Sequence, residues 1–64
     1  MSEKKTLRQR EHELLSAIVT HRGRDELEAL AARYEASGGK ARPRHRSIIT
    51  YIVAHERSLG LIVG

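Results

Sequence analysis

The sequence predicts a mainly α-helical fold, with three helices in a bundle and a short C-terminal β-strand. Apolar residues recur at helical spacing in three separate stretches, and capping residues and glycines separate these stretches. The last apolar run, residues 61–63, is rich in β-favouring side chains and too short for a fourth helix. With 64 residues, the chain is expected to form a single domain with a marginal core.

The first helix is predicted over 6–21. Thr6 and Gln9 have the spacing of a capping box, and Gly23 supplies a stop. Its apolar stripe comprises Leu7, Leu14, Leu15 and Ile18, with Val19 at the edge. This stripe is expected to face the other two helices.

The second helix is predicted over 25–37, after a short connector at 21–24. Asp25 is the expected N-cap, with Glu28 in the box position, and the run 37–39 with its paired glycines ends the helix. Its buried stripe comprises Leu27, Leu30, Ala31 and Tyr34.

The third helix is predicted over 43–58, because Pro43 lacks the N–H that a first helical residue leaves unpaired. Gly60 supplies its stop. Its inner face comprises Ile48, Ile49, Ile52, Val53 and Leu59. Its outer face comprises Ser47, Thr50, Ala54 and Arg57, with Arg46 at the edge. The helix is thus apolar on one side and carries small polar and basic residues on the other.

The composition indicates an anionic partner and argues against several other classes. The formal charge is +4 and the pI is about 10.1. Cysteine is absent, so disulfides and thiolate metal sites are excluded. The apolar runs are much shorter than the roughly 20 residues of a membrane span, and the N-terminus lacks the apolar core of a secretion signal. A cytoplasmic protein with no membrane partner is expected.

The basic loop, residues 40–46, precedes the third helix. Four basic residues and no acidic residue lie between Ala36 and His55. Such a loop, followed by a small polar helix face, suits contacts with phosphates and base edges. The candidate DNA-binding residues are Lys40, Arg42, Arg44, His45, Arg46, Ser47, Thr50 and Arg57, flanked by Arg22 and Arg24. The alternative is a solvated loop beside an ordinary exposed helix face.

A family resemblance extends this interpretation. Residues 44–62 have the pattern Arg-x-Arg-x-Ile-Ile-x-Tyr-Ile-Val-Ala, four further residues, and then Leu-Gly-Leu-Ile. This pattern resembles the recognition helix and first wing strand of winged-helix DNA-binding domains. It is most similar to the C-terminal winged helix of the origin-recognition and cell-division-control replication initiators. The resemblance implies a helix-turn-helix bundle with the third helix in the major groove. A truncated wing is expected from this resemblance, since residues up to Gly64 offer no counterpart of the second wing strand.

Two interpretations of the C-terminal residues stay open. Residues 61–63 either cover the core as an apolar tail or form a strand. A strand would pair with the connector near Arg22 or with another copy of the chain, which would make a homodimer through residues 60–64.

The predicted function is a small basic DNA-binding protein that regulates transcription or replication. No enzyme, cofactor or metal is expected, because the sequence lacks a Gly-rich phosphate loop, a recognisable catalytic triad and a His pair at metal-binding helical spacing. The alternatives are RNA or ribosome binding through the same basic surface, and a protein–protein interaction module.

Overall fold

Three helices form the described part of the domain. The computed structural model describes residues 3–38, 41–42 and 47–64. Helix α1 spans Leu7–Ile18, α2 spans His21–Ala36 and α3 spans Ile48–Ser58, and each helix packs against the other two. The predicted mainly helical architecture is therefore confirmed.

Helix α1 begins as the sequence predicts. The Thr6 hydroxyl accepts a hydrogen bond from the Gln9 N–H, and the Gln9 side chain accepts one from the Thr6 N–H. This capping box satisfies two donors at the start of the helix. The helix ends at Ile18, three residues before the predicted end at His21.

The predicted connector at 21–24 is wrong, because these residues form the first turn of α2. Thr20, and not Asp25, is the N-cap: its hydroxyl accepts a hydrogen bond of 2.9 Å from the Gly23 N–H. Gly23 is buried inside this turn, where a Cβ atom would lie 1.8 Å from the Ala17 carbonyl oxygen. The glycine thus permits a close approach of α2 to the end of α1 and does not act as a stop.

Helix α3 begins at Ile48 and not at the predicted Pro43. Ser47 has an extended backbone, with φ −66° and ψ 151°, and its hydroxyl caps the helix by accepting from the Thr50 N–H at 3.1 Å. Residues 43–46 lie outside the described part of the chain. Gly60 follows the helix with a φ of +76°, in the left-handed region that favours glycine, as the sequence predicts.

The core lies between the three helices and the C-terminal residues. It comprises Leu14, Leu27, Ala31, Ile49, Tyr51, Ile52, Val53 and Ile62. Ile52 is completely buried. Two predicted core residues are wrong: Leu15 is 55% exposed and Leu59 is 57% exposed. Leu59 is the C-cap beyond the last turn of α3, and Leu15 points away from its buried neighbour Leu14 by the helical rotation of about 100° per residue.

The C-terminal residues cover the core and pair with the start of the same chain. Ile62 is buried, whereas Val63 forms one parallel bridge with Thr6. The Val63 N–H donates to the Lys5 carbonyl at 3.0 Å, and the Val63 carbonyl accepts from the Leu7 N–H at 2.6 Å. Leu7 is the first residue of α1, so this bond satisfies a donor that the helix leaves unpaired. The pairing is not with residues near Arg22, and no strand is present among the described residues.

Candidate nucleic-acid interface

The outward face of α3 is open to solvent. Thr50, Ala54 and Arg57 are exposed and follow one another at spacings of four and three residues, which places them on one side of the helix. The Ser47 and Thr50 hydroxyl oxygens lie 2.8 Å apart, so the structure brings these two predicted residues together. Each hydroxyl has one donor and two acceptor positions, so this pair keeps capacity to bond a ligand.

The single acidic residue of α3 is turned inward. The Glu56 side chain is 5% exposed and forms a bidentate pair with Arg10 of α1. The Arg10 Nε atom donates to Glu56 Oε1 at 2.8 Å, and Arg10 Nη2 donates to Glu56 Oε2 at 3.0 Å. The Tyr34 hydroxyl of α2 donates to the same carboxylate at 2.6 Å. All of Ser47–Ser58 is described, and its outward face therefore carries no acidic side chain.

Arg10, Tyr34 and Glu56, which we call the ionic cluster, join all three helices. Burial, and then hydrogen bonding to Glu56, raise the pKa of Tyr34 to about 12. Hydrogen bonding to Glu56 also raises the pKa of Arg10. The His55 ring lies beside the Tyr34 ring, with centroids 4.5 Å apart. Because the buried Glu56 carboxylate is compensated by the partly buried Arg10 and Tyr34 side chains, the cluster links the three helices.

Arg42, in the predicted basic loop, contacts the acidic side of α2. Its guanidinium donates to the Glu28 carboxylate at 2.9 Å, and its backbone N–H donates to the Glu35 carboxylate at 3.0 Å. Hydrogen bonding to Glu28 raises the pKa of Arg42. The structure therefore places this predicted DNA-binding residue against two carboxylates of its own chain.

The two flanking arginines lie in the first turn of α2. The Arg22 side chain is 91% exposed and pairs with Glu26 at 3.3 Å. The Arg24 Nε atom donates to the Ile18 carbonyl at 2.9 Å and so closes the end of α1. Arg57 is exposed on α3. The remaining predicted DNA-binding residues lie outside the described residues: Lys40, Arg44, His45 and Arg46.

Sequence reasoning missed two sets of contacts: the ionic cluster, and the carboxylate partners of Arg42. Glu56 follows Ile49, Ile52 and Val53 at helical spacing, so an acid on the apolar stripe of α3 was a readable signal for a buried charge. Arg10 likewise lies between Leu7 and Leu14 on the stripe of α1. By contrast, nothing in the local sequence marks Glu28 and Glu35 as partners of Arg42, because both resemble solvated helix residues.

Comparisons with known protein families, with curated proteins and with solved structures each find no match for this chain. The winged-helix resemblance of residues 44–62 thus stays a prediction. Among the helices that the structure describes, none has the length and apolar character needed to cross a membrane.

Proposed function

We propose that this chain is a small DNA-binding domain that regulates transcription or replication, with α3 in the major groove and residues 40–46 on the adjoining phosphates. The observation that supports this proposal is the two-sided character of α3. Its outward face carries exposed Thr50, Ala54 and Arg57, while its only carboxylate, Glu56, is buried against Arg10. A phosphate-lined groove would therefore meet small polar and cationic groups without a facing negative charge.

The dimensions and chemistry of this face suit a groove. Eleven residues form α3, which corresponds to a rod about 16 Å long. Small side chains allow a helix to lie deep in the major groove, which is roughly 12 Å wide. In such a position Thr50 is able to bond base edges or phosphates, Ala54 to contact a thymine methyl group, and Arg57 to pair with guanine.

The charge distribution favours the same part of the chain. Residues 1–35 contain seven basic and seven acidic residues, so their formal charges cancel. Residues 36–64 contain five basic residues and one acidic residue, which accounts for the whole net charge of +4. That one acidic residue is Glu56, which the ionic cluster neutralises. The second part thus carries the excess charge that a polyanion would recognise, although Arg42 within it is paired with Glu28 of the first part.

A matched pair of charge insertions tests the proposal. Ala54→Glu places a carboxylate on the outward face of α3, and Ala29→Glu places one on an exposed position of α2 outside the predicted DNA-contacting set. Both changes keep a good helix former. Binding to random-sequence duplex DNA is measured by fluorescence anisotropy at two salt concentrations, with circular dichroism as the folding control.

We expect Ala54→Glu to weaken binding at least about tenfold, or about 1.4 kcal/mol, and clearly more than Ala29→Glu. Equal effects of the two substitutions, or no salt-dependent binding by the unaltered chain, would refute the proposal. Duplex RNA serves as the competitor in the same assay. The deep, narrow major groove of A-form RNA does not admit a helix, so RNA should compete poorly if α3 binds as proposed.

A further inference from the structure

The Glu28 carboxylate forms an ion pair with the Arg42 guanidinium. The two groups are 2.9 Å apart, and both remain accessible, with side-chain exposures of 60% for Glu28 and 36% for Arg42. A guanidinium recognises carboxylates and phosphates through the same donor fork. A DNA phosphate that approached Arg42 would therefore compete with Glu28 for the same N–H groups.

A second carboxylate, that of Glu35, binds the backbone of Arg42. Glu35 accepts a hydrogen bond from the Arg42 backbone N–H at 3.0 Å, and its charge has a smaller effect on the guanidinium than that of Glu28. Neutralising Glu28 should thus release the Arg42 side chain while its backbone stays attached to α2. These two contacts indicate that Glu28 holds the Arg42 side chain, whereas Glu35 holds the backbone at this residue.

We propose that Glu28 competes with DNA phosphates for the Arg42 guanidinium and thereby lowers the affinity of Arg42 for them. This inference rests on the proposed function and specifies which contact within the chain weakens its phosphate-binding surface. Exposed ion pairs contribute little, so we expect Glu28→Gln to tighten DNA binding by about two- to fivefold. The released cation should also steepen the salt dependence by up to about 0.9 in log–log slope.

The test compares Glu28→Gln with Asp25→Asn, since both substitutions remove one negative charge from an exposed position of α2. Each is also made in an Arg42→Ala background. Binding to random-sequence duplex DNA is measured against salt concentration, with circular dichroism to confirm that each variant folds.

The proposal expects Glu28→Gln to tighten binding more than Asp25→Asn does, and this excess to disappear in the Arg42→Ala background. Equal gains from the two substitutions, an excess that persists without Arg42, or weaker binding by Glu28→Gln would overturn it while leaving the proposed function standing. Absence of salt-dependent DNA binding by the unaltered chain and every variant would instead overturn the proposed function, and this inference with it.

Discussion

Removal of Arg10 is expected to destabilise the fold more than any other single charge deletion on α1. Arg10→Ala leaves the Glu56 carboxylate buried, with the Tyr34 hydroxyl as its remaining hydrogen-bond partner in the ionic cluster. The cost arises because a carboxylate that is only 5% exposed keeps its desolvation penalty after its counter-charge is lost.

The size of the effect follows from the burial of the pair. Breaking a buried ion pair by removing one partner costs about 3–5 kcal/mol, and the lower end applies because the Arg10 side chain keeps 26% exposure. A domain of 64 residues has a total free energy of unfolding of about 3–10 kcal/mol. Arg10→Ala should thus remove about a third of the total stability or more.

Urea unfolding, followed by the circular dichroism of the helices, measures this loss. Arg8→Ala is the matched control, because Arg8 is an exposed arginine of the same helix and its loss should change stability by no more than about 0.5 kcal/mol. The double variant Arg10→Met with Glu56→Met should regain most of the stability, since apolar replacement of both partners of a buried pair is often neutral.

Indistinguishable unfolding midpoints for Arg10→Ala and Arg8→Ala would refute this reasoning. A double variant that is less stable than Arg10→Met alone would also contradict it, because the buried charge would then not be the source of the loss.

Three further predictions follow from the packing and the pKa shift. Gly23→Ala should lower the melting temperature, because the new Cβ would lie 1.8 Å from a carbonyl oxygen of α1. At an open helix position the same change stabilises by about 0.5–1 kcal/mol. An unchanged or higher melting temperature would therefore contradict the close contact at Gly23. The pKa of Tyr34 is raised to about 12 from 10.0, so the stability that its hydroxyl contributes is fully present below pH 10 and is lost as the pH rises towards 12. Phenolate absorbance of a Tyr51→Phe variant measures this titration, and an apparent pKa near 10 would show that burial and Glu56 do not hold the proton. Ile52→Val should cost about 0.5–1.5 kcal/mol in urea unfolding, because this side chain is completely buried, and a cost near zero would mean that the core closes around the missing methyl group.

The predicted helices were confirmed where local signals sufficed. The capping box of Thr6 and Gln9 begins α1, and the stripe of α2 at Leu27 and Ala31 is buried. Such patterns depend on residues three or four positions apart, which are neighbours in any helix. Helix ends were less predictable, because Gly23 is compatible with a stop and with a close helix–helix approach.

For the candidate interface, the sequence predicted the exposure of Thr50 and Arg57 correctly, since both lie opposite the apolar stripe of α3. It did not predict that Arg42 would contact Glu28, fourteen residues earlier in the chain. Several helix arrangements are compatible with the same local pattern, and only one of them brings these two side chains together.

By itself, the sequence determined that three amphipathic helices form and, apart from residues such as Leu15 and Leu59, which side of each faces inward, because helical periodicity and capping act over a few residues. Only the tertiary structure decided which charges are paired. Arg10 and Glu56 are 46 residues apart, and Val63 pairs with Thr6 across almost the whole chain. Contacts of this kind require the helices to be docked first, because the burial that stabilises them is a property of the packed core and of no single segment.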